Sequence, residues 1–144
     1  MLISQILKDK AINGVISVGP GTSVSEAANI LSDRGIGALI VSTDAQNPLG
    51  IITERDIVRE LGKRGGGCLN DPVEDLMTRD IISCTPGDRA LRVLQQMTEG
   101  RFRHMPVMEQ GEVIGMVSIG DVVKGRLQEV AAQNESLKAM IMGY

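Results

Sequence analysis

Apolar residues along this chain change their spacing several times, and they do so twice in the same order. Val24, Ala27, Ala28 and Leu31 fall at helical spacing, and Ala90, Val93, Leu94 and Met97 repeat the pattern. Ahead of each helix lies a short apolar run, Val15 to Val18 and Ile81 to Cys84, followed by a Pro-Gly turn. Behind each helix two strands are predicted. Ala38 to Ser42 should pair with Gly50 to Ile52 across Asp44-Ala45-Gln46-Asn47-Pro48, and Met105 to Met108 with Val113 to Val117 across Glu109-Gln110-Gly111. A second helix starts near Arg55 and near Gly120, and short amphipathic turns, Ile3 to Leu7 and Val73 to Met77, open the halves. The fold class expected is α/β, with each half reading helix-strand-helix-strand-strand-helix.

The two halves align residue by residue. Residues 15–58 recur as 81–123, with Ile16/Ile82, Ser17/Ser83, Pro20/Pro86, Gly21/Gly87 and Val41/Val107 in step. After a one-residue deletion, Gly50/Gly115, Thr53/Ser118, Asp56/Asp121 and Val58/Val123 also align. A duplicated unit of this size buries its open apolar face against its twin, so any site in one half should have a counterpart in the other. The expected divisions are a first repeat over 1–61, a glycine-rich linker over 62–71, a second repeat over 72–128 and a helical extension over 129–144. The first repeat carries four extra residues near Lys10 to Asn13. Ser23 or Thr22 can cap the first helix, with Glu26 completing a capping box, and Asp88 can cap its counterpart. In the last helix Val123, Leu127, Val130, Asn134, Leu137 and Ile141 alternate spacings of four and three. This pattern fits a coiled-coil seam with a register-setting Asn, but it spans under three heptads, so the expectation is an amphipathic helix docked on its own domain.

Composition narrows the partners. The 144 residues hold one Phe, one Tyr and no Trp, so the core is aliphatic and the chain lacks aromatic platforms for stacking nucleic-acid bases. The net charge of −3 also argues against a phosphate-backbone binder. Cys68 and Cys84 show no CxxC pairing and suggest neither a disulfide framework nor a metal site; Cys68 is expected exposed and Cys84 on a strand facing ligand or core. No apolar run reaches the ~18–20 residues of a membrane span, and Met1 to Lys10 does not read as a signal peptide. A cytoplasmic protein is expected.

Gly50-Ile51-Ile52-Thr53-Glu54-Arg55-Asp56 and its echo Gly115-Met116-Val117-Ser118-Ile119-Gly120-Asp121 carry the strongest local signal. Each places a hydroxyl at a strand end and a carboxylate three residues later, at a helix start. Such spacing makes an ordinary capping box. It also suits a sugar phosphate, since a helix N-terminus with a hydroxyl binds an anion and a carboxylate can accept both hydroxyls of a ribose.

Paired repeats ending in Gly-hydrophobic-x-Thr/Ser-x-x-Asp resemble a tandem pair of cystathionine-β-synthase (CBS) domains, the Bateman module, packed about a pseudo-two-fold axis. The strands Gly37 to Val41 and Arg103 to Val107 match as well, and the stretches Met97 to Val107 and Val117 to Val123 resemble small stand-alone bacterial members. The resemblance implies an adenosyl ligand (AMP, ATP or NAD(H)) between the repeats and a homodimer of modules. Asp56 and Asp121 would then hold ribose hydroxyls, and Thr53 and Ser118 would contact phosphate. The backbone of Ile16 to Val18 and of Ile82 to Cys84 would meet the adenine edge, with Ala38 and Met105 near its face. Arg55, Arg101, Arg103, His104 and Pro106 complete the candidate set. Arg101 and Arg103 read equally as solvated charge, and His104 as a partly buried polar residue rather than a metal ligand. Symmetry breaks where Gly120 replaces Arg55 and Arg103 replaces Gly37, so the two sites should differ. The leading expectation is a non-catalytic nucleotide sensor acting on a partner in trans, without metal, nucleic acid or membrane. The alternatives are an adaptor homodimer with vestigial clefts, and an enzyme using the two aspartates as acid and base.

Overall fold

The computed structural model describes residues 1–10 and 15–142. The insertion expected near Lys10 to Asn13 lies, past Lys10, outside the described residues, as do positions 143 and 144 of the expected extension. In the first half, α1 (Ile3–Asp9) leads to β1 (Ser17–Val18), α2 (Val24–Arg34), β2 (Ala38–Val41), β3 (Gly50–Thr53) and α3 (Glu54–Arg64). The second half holds α4 (Ala90–Gly100), β4 (His104–Glu109), β5 (Glu112–Ser118) and α5 (Ile119–Met142). The order predicted from the apolar pattern is complete in the first half; the second keeps its helix-strand-strand-helix portion, opened by a 3₁₀ turn at Val73–Asp75.

Local chemistry accounts for the ends of the paired helices. Ser23 Oγ accepts the Glu26 N–H at 3.1 Å and starts α2. Gly35, at φ 63°, ends it in the left-handed region, so the Ile36 N–H turns back to the Leu31 carbonyl. The twin helix uses different residues. Asp88 accepts the Thr85 N–H at 2.9 Å and caps nothing in α4, whose N-cap is Arg89 without a side-chain bond. Arg101, expected as a phosphate ligand or surface charge, is the left-handed C-cap of α4 at φ 57°.

β1 runs parallel to β2, and β2 antiparallel to β3, giving the order β1-β2-β3. In the second half the strand expected over Ile81 to Cys84 shrinks to a single parallel bridge, Cys84 to Val107, beside the β4-β5 hairpin. That hairpin closes through Gln110 and Gly111, both at positive φ (53° and 79°), a mirror-image two-residue turn matched to strand twist.

The packing crosses between the repeats. Ile3 and Ile6 of α1 belong to the core of the second half, with Ala90, Val93, Met97, Met105, Val107 and Val117. Val73 and Met77, which follow the glycine-rich segment, belong to the core of the first half, with Val24, Leu31, Leu39 and Ile52. Backbone bonds tie each opening segment to the other repeat: Ile3 N–H to Asp88 C=O at 2.9 Å, and Val73 N–H to Thr22 C=O at 2.8 Å. Each half thus lends its opening segment to its twin, and neither core is complete alone.

Two expectations change in the linker. The glycine-rich stretch is not a free coil, because α3 runs to Arg64 and a 3₁₀ helix covers Gly65–Asn70. Cys68 lies inside that turn, buried and not exposed, since the turn must cover the apolar edge of the first core. Cys84 faces the second core, and burial, with the nearby charge of Asp88, pushes its thiol up to about 12. Neither thiol is a nucleophile in the folded chain.

Candidate functional site

A cavity of about 450 Å³ opens between the halves, and its walls come from both. Val15 and Ile16 before β1 and Gly37 and Ala38 at the start of β2 form one side. His104 of β4, Met116 and Ser118 of β5, and Asp121, Lys124, Gly125 and Gln128 of α5 form the other. Asp9 and Lys10 at the end of α1 close one edge. Asp121, Lys124 and Gln128 reach it together because they recur at three- and four-residue spacing on one face of α5.

Asp121 organises the polar side. Its Oδ2 accepts the Ser118 N–H at 2.9 Å, while Ser118 Oγ accepts the Asp121 N–H at 3.1 Å. The capping geometry read from Ser-x-x-Asp is therefore present, and the carboxylate also faces the cavity. Lys10 donates from Nζ to Asp121 Oδ2 at 2.9 Å and to the Met116 carbonyl at 2.6 Å. Burial opposes ionisation of Asp121, but the Ser118 N–H and the Lys10 ammonium together outweigh it, so the carboxyl titrates below its ordinary value.

His104 stands across from Gly37, and the glycine makes room for it. A Cβ at position 37 would lie 2.8 Å from both His104 Nε2 and Glu54 Oε1. Burial lowers the His104 pKa from its ordinary 6.5; Glu54 and Asp121 pull it back, while Lys10 and Arg103 add to the fall. The net direction is down, so the folded chain holds off a proton that the unfolded chain accepts. Stability should therefore fall as pH drops through about 6.5 and level off below the folded pKa. Asp121, depressed below its ordinary 3.8, contributes stability that is lost only at more acid pH, outside that window. Urea unfolding at pH 8 and pH 5.5 should show a loss in the wild-type chain that His104→Gln removes. An equal loss in both would assign the effect elsewhere.

The structure divides the candidate residues. Ile16, Ala38, His104, Ser118 and Asp121 line the cavity. The repeat-related Thr53 and Asp56 lie outside this cavity, in a closed arrangement. Asp56 is 8% exposed; its Oδ2 accepts the Thr53 N–H at 2.9 Å and hydroxyl at 3.1 Å, and its Oδ1 pairs with Arg59 at 3.3 Å. Arg55, Arg103 and Ile82 are exposed and outside the cavity, and Val18, Cys84, Met105 and Pro106 are buried. Met105 and Cys84 are core because the second half is filled by α1 from the other repeat. Sequence reasoning missed Lys10, Asp9, Lys124 and Gln128. The spacing of Lys124 and Gln128 from Asp121 was a usable signal; Lys10 reaches the site only because α1 crosses over. Among the described residues no cluster of three His, Cys, Asp or Glu side chains could hold a metal ion. No described helix is long and apolar enough to cross a membrane.

Comparison with known proteins places this architecture. The CBS domain family model matches residues 5–63 and 73–127. A mitochondrial CBS domain-containing protein of Arabidopsis thaliana is 38% identical over 125 residues, spanning 84% of this chain but 61% of that protein. A CBS-domain containing protein from Agrobacterium tumefaciens superposes with a TM-score of 0.83 at 39% identity, covering 88% of this chain and 99% of that one. The CBS domain pair of protein MJ0100, solved with 5′-methylthioadenosine and S-adenosyl-L-methionine, superposes at 0.77 with 25% identity, covering 90% and 98%. With both repeats matched in order and the crossed packing in place, the chain belongs to the CBS-domain family as a tandem pair.

Proposed function

We propose that this chain is a sensor of adenosyl ligands, binding AMP, ATP or NAD(H) in the cleft around Asp121 and acting on a partner in trans. The observation that carries the reading is the cavity itself. At about 450 Å³ it falls within the range of small-molecule sites, and it brings two carboxylates (Asp9 and Asp121), a hydroxyl and two ammonium groups together with the apolar Ile16, Ala38 and Met116. Asp121 would accept the ribose hydroxyls, and Ser118, Lys10 and Lys124 would meet phosphate. The base would lie against Ile16 and Ala38. Because both repeats and α1 supply walls, a ligand that fits one arrangement of the halves better than another shifts the population toward it.

A thermal-shift screen with AMP, ADP, ATP, NAD, NADH, S-adenosylmethionine and 5′-methylthioadenosine tests the reading. A ligand at a hundredfold excess over its dissociation constant stabilises by about 2.7 kcal/mol, a rise of roughly 5–10 °C for a domain of this size. No shift with any of them would leave the second reading, an adaptor homodimer. One observation favours that alternative: the seam of α5 is exposed in a single chain, with Leu127 64% and Leu137 55% accessible.

A further inference from the structure

His104 is the only histidine of the chain, and its ring lies where the two repeats meet. It belongs to β4 of the second repeat, yet it reaches Gly37 of the first, where Glu54 Oε1 approaches the same point from α3. It also forms part of the cavity wall. Across the β4-β5 ladder it is paired with Ser118, the hydroxyl assigned above to phosphate, and such partners stand about 5 Å apart on one sheet face. The one side chain of this wall whose ordinary titration falls near neutral pH is therefore beside the place meant for the ligand's anion.

Charges of both signs face the ring. Glu54 of α3 and Asp121 of α5 favour its protonated form, while Lys10 behind α1 and Arg103 beside it in the chain oppose it. Asp9 and Lys124, also in the cavity wall, add one charge of each sign, and Gly37 and Ala38 of β2 and Ser118 of β5 add none. Burial tips this near balance, so the ring is held neutral in the free chain. A phosphoryl group beside Ser118 would bring negative charge without a new cation, in a partly enclosed place where charges act strongly on one another. We infer that His104 makes ligand binding proton-linked: the ring gains a proton as an anionic adenosyl ligand enters, so acid pH tightens phosphorylated ligands and leaves uncharged ones unaffected. The inference rests on the adenosyl-ligand reading and deepens it, since the cleft then reports ligand and acidity together. Linkage is reciprocal, so the factor by which the ligand favours the protonated ring is the factor by which protonation favours the ligand. Affinity for the anion rises as pH falls from the ring's pKa in the complex to its pKa in the free chain, and is level below both.

Because the chain has one histidine, a single imidazole Cε1–H resonance follows the ring through a pH titration by NMR. The full chain is titrated alone, with saturating AMP and with saturating 5′-methylthioadenosine. The midpoint should lie below 6.5 in the free chain, rise by about one pH unit or more with AMP, and stay in place with the uncharged ligand. Calorimetry should then show AMP affinity gaining about threefold or more between pH 8 and pH 5.5, relative to His104→Gln, in which the ionisation of AMP itself is the same. Glu54→Gln, altered outside the cavity wall, should move that gain to more acid pH. If the midpoint stays in place while AMP binds, the linkage is overturned and the sensor reading survives. If 5′-methylthioadenosine raises the midpoint as much as AMP does, the ligand's charge is not the cause and the linkage is again overturned. Binding of the uncharged ligand alone would overturn it too, since the cleft would then reject anions. If neither ligand binds at any pH, the linkage and the reading beneath it fall together.

Discussion

Asp121→Ala should weaken AMP binding on the order of a hundredfold, and Asp56→Ala should leave it nearly unchanged. Two hydroxyl bonds to one carboxylate, at roughly 1.5–3 kcal/mol each, account for that loss at Asp121. The sequence treats the two residues as equivalents, since both follow a hydroxyl residue by three positions. Their surroundings separate them. Asp121 opens onto the cavity and shares its charge with Lys10, whereas Asp56 is 8% exposed and occupied by Thr53 and Arg59. Both carboxylates cap a helix, so both substitutions should lower stability by about 1–2 kcal/mol. Stability alone cannot tell them apart; affinity can. Titration of AMP into each variant, with urea unfolding alongside, reads both quantities. A larger loss of affinity in Asp56→Ala would move the operative site to the other cleft and refute the assignment to Asp121. Asp121→Asn, which keeps the shape but weakens acceptance, should fall between wild type and alanine.

What the sequence disclosed about the fold came from periodicity, which is local. The helical spacing of Val24 to Leu31 and of Ala90 to Met97, and the two hairpins, are present as expected because each rests on contacts within about a dozen residues. The crossing of α1 into the second half was not legible. Ile3 and Ile6 have the same amphipathic pattern whichever core receives them, and only the three-dimensional packing chooses. The same choice hid Lys10 and put Met105 in the second core. The glycine run misled for a related reason. Gly65, Gly66 and Gly67 suggest freedom, but Cys68 and Leu69 beside them have an apolar core to cover, and the segment coils into a 3₁₀ turn. The difference between the surroundings of Asp121 and Asp56 was half visible. Gly37 against Arg103 stood in the sequence, and the physical reason is that a bare α-carbon at position 37 admits His104 and Glu54.

The wild-type chain should run as a dimer in light scattering at tens of micromolar, and Val130→Glu with Leu137→Glu should make it a monomer. The argument begins with where α5 stops touching its own domain. Val122 and Gly125 are buried, but from Val130 to Met142 every residue except Ala139 is exposed. That stretch extends about 20 Å at 1.5 Å per residue, and a helix of its length is marginal in water without something to pack against. Its exposed apolar side chains include Val130, Leu137 and Ile141 of the seam seen in the sequence, beside Met140 and Met142, and the seam runs back through Val123 and Leu127; the five seam residues are 38–77% accessible. Docking on the same domain, the other reading of this pattern, therefore holds only for the first turns of α5. A seam with Asn134 at one core position pairs with an identical seam, because the two amides can bond to each other only in one register. Asn134→Leu should accordingly raise the melting temperature while broadening the distribution of oligomers. The seam residues are not those that line the cavity, so the monomeric variant should keep its affinity for AMP. A monomeric wild type, or a glutamate variant that remains dimeric, would show that α5 is not the contact between copies. Retained AMP binding in the monomer would in turn separate sensing from assembly, leaving the dimer as the platform that presents two clefts to one partner.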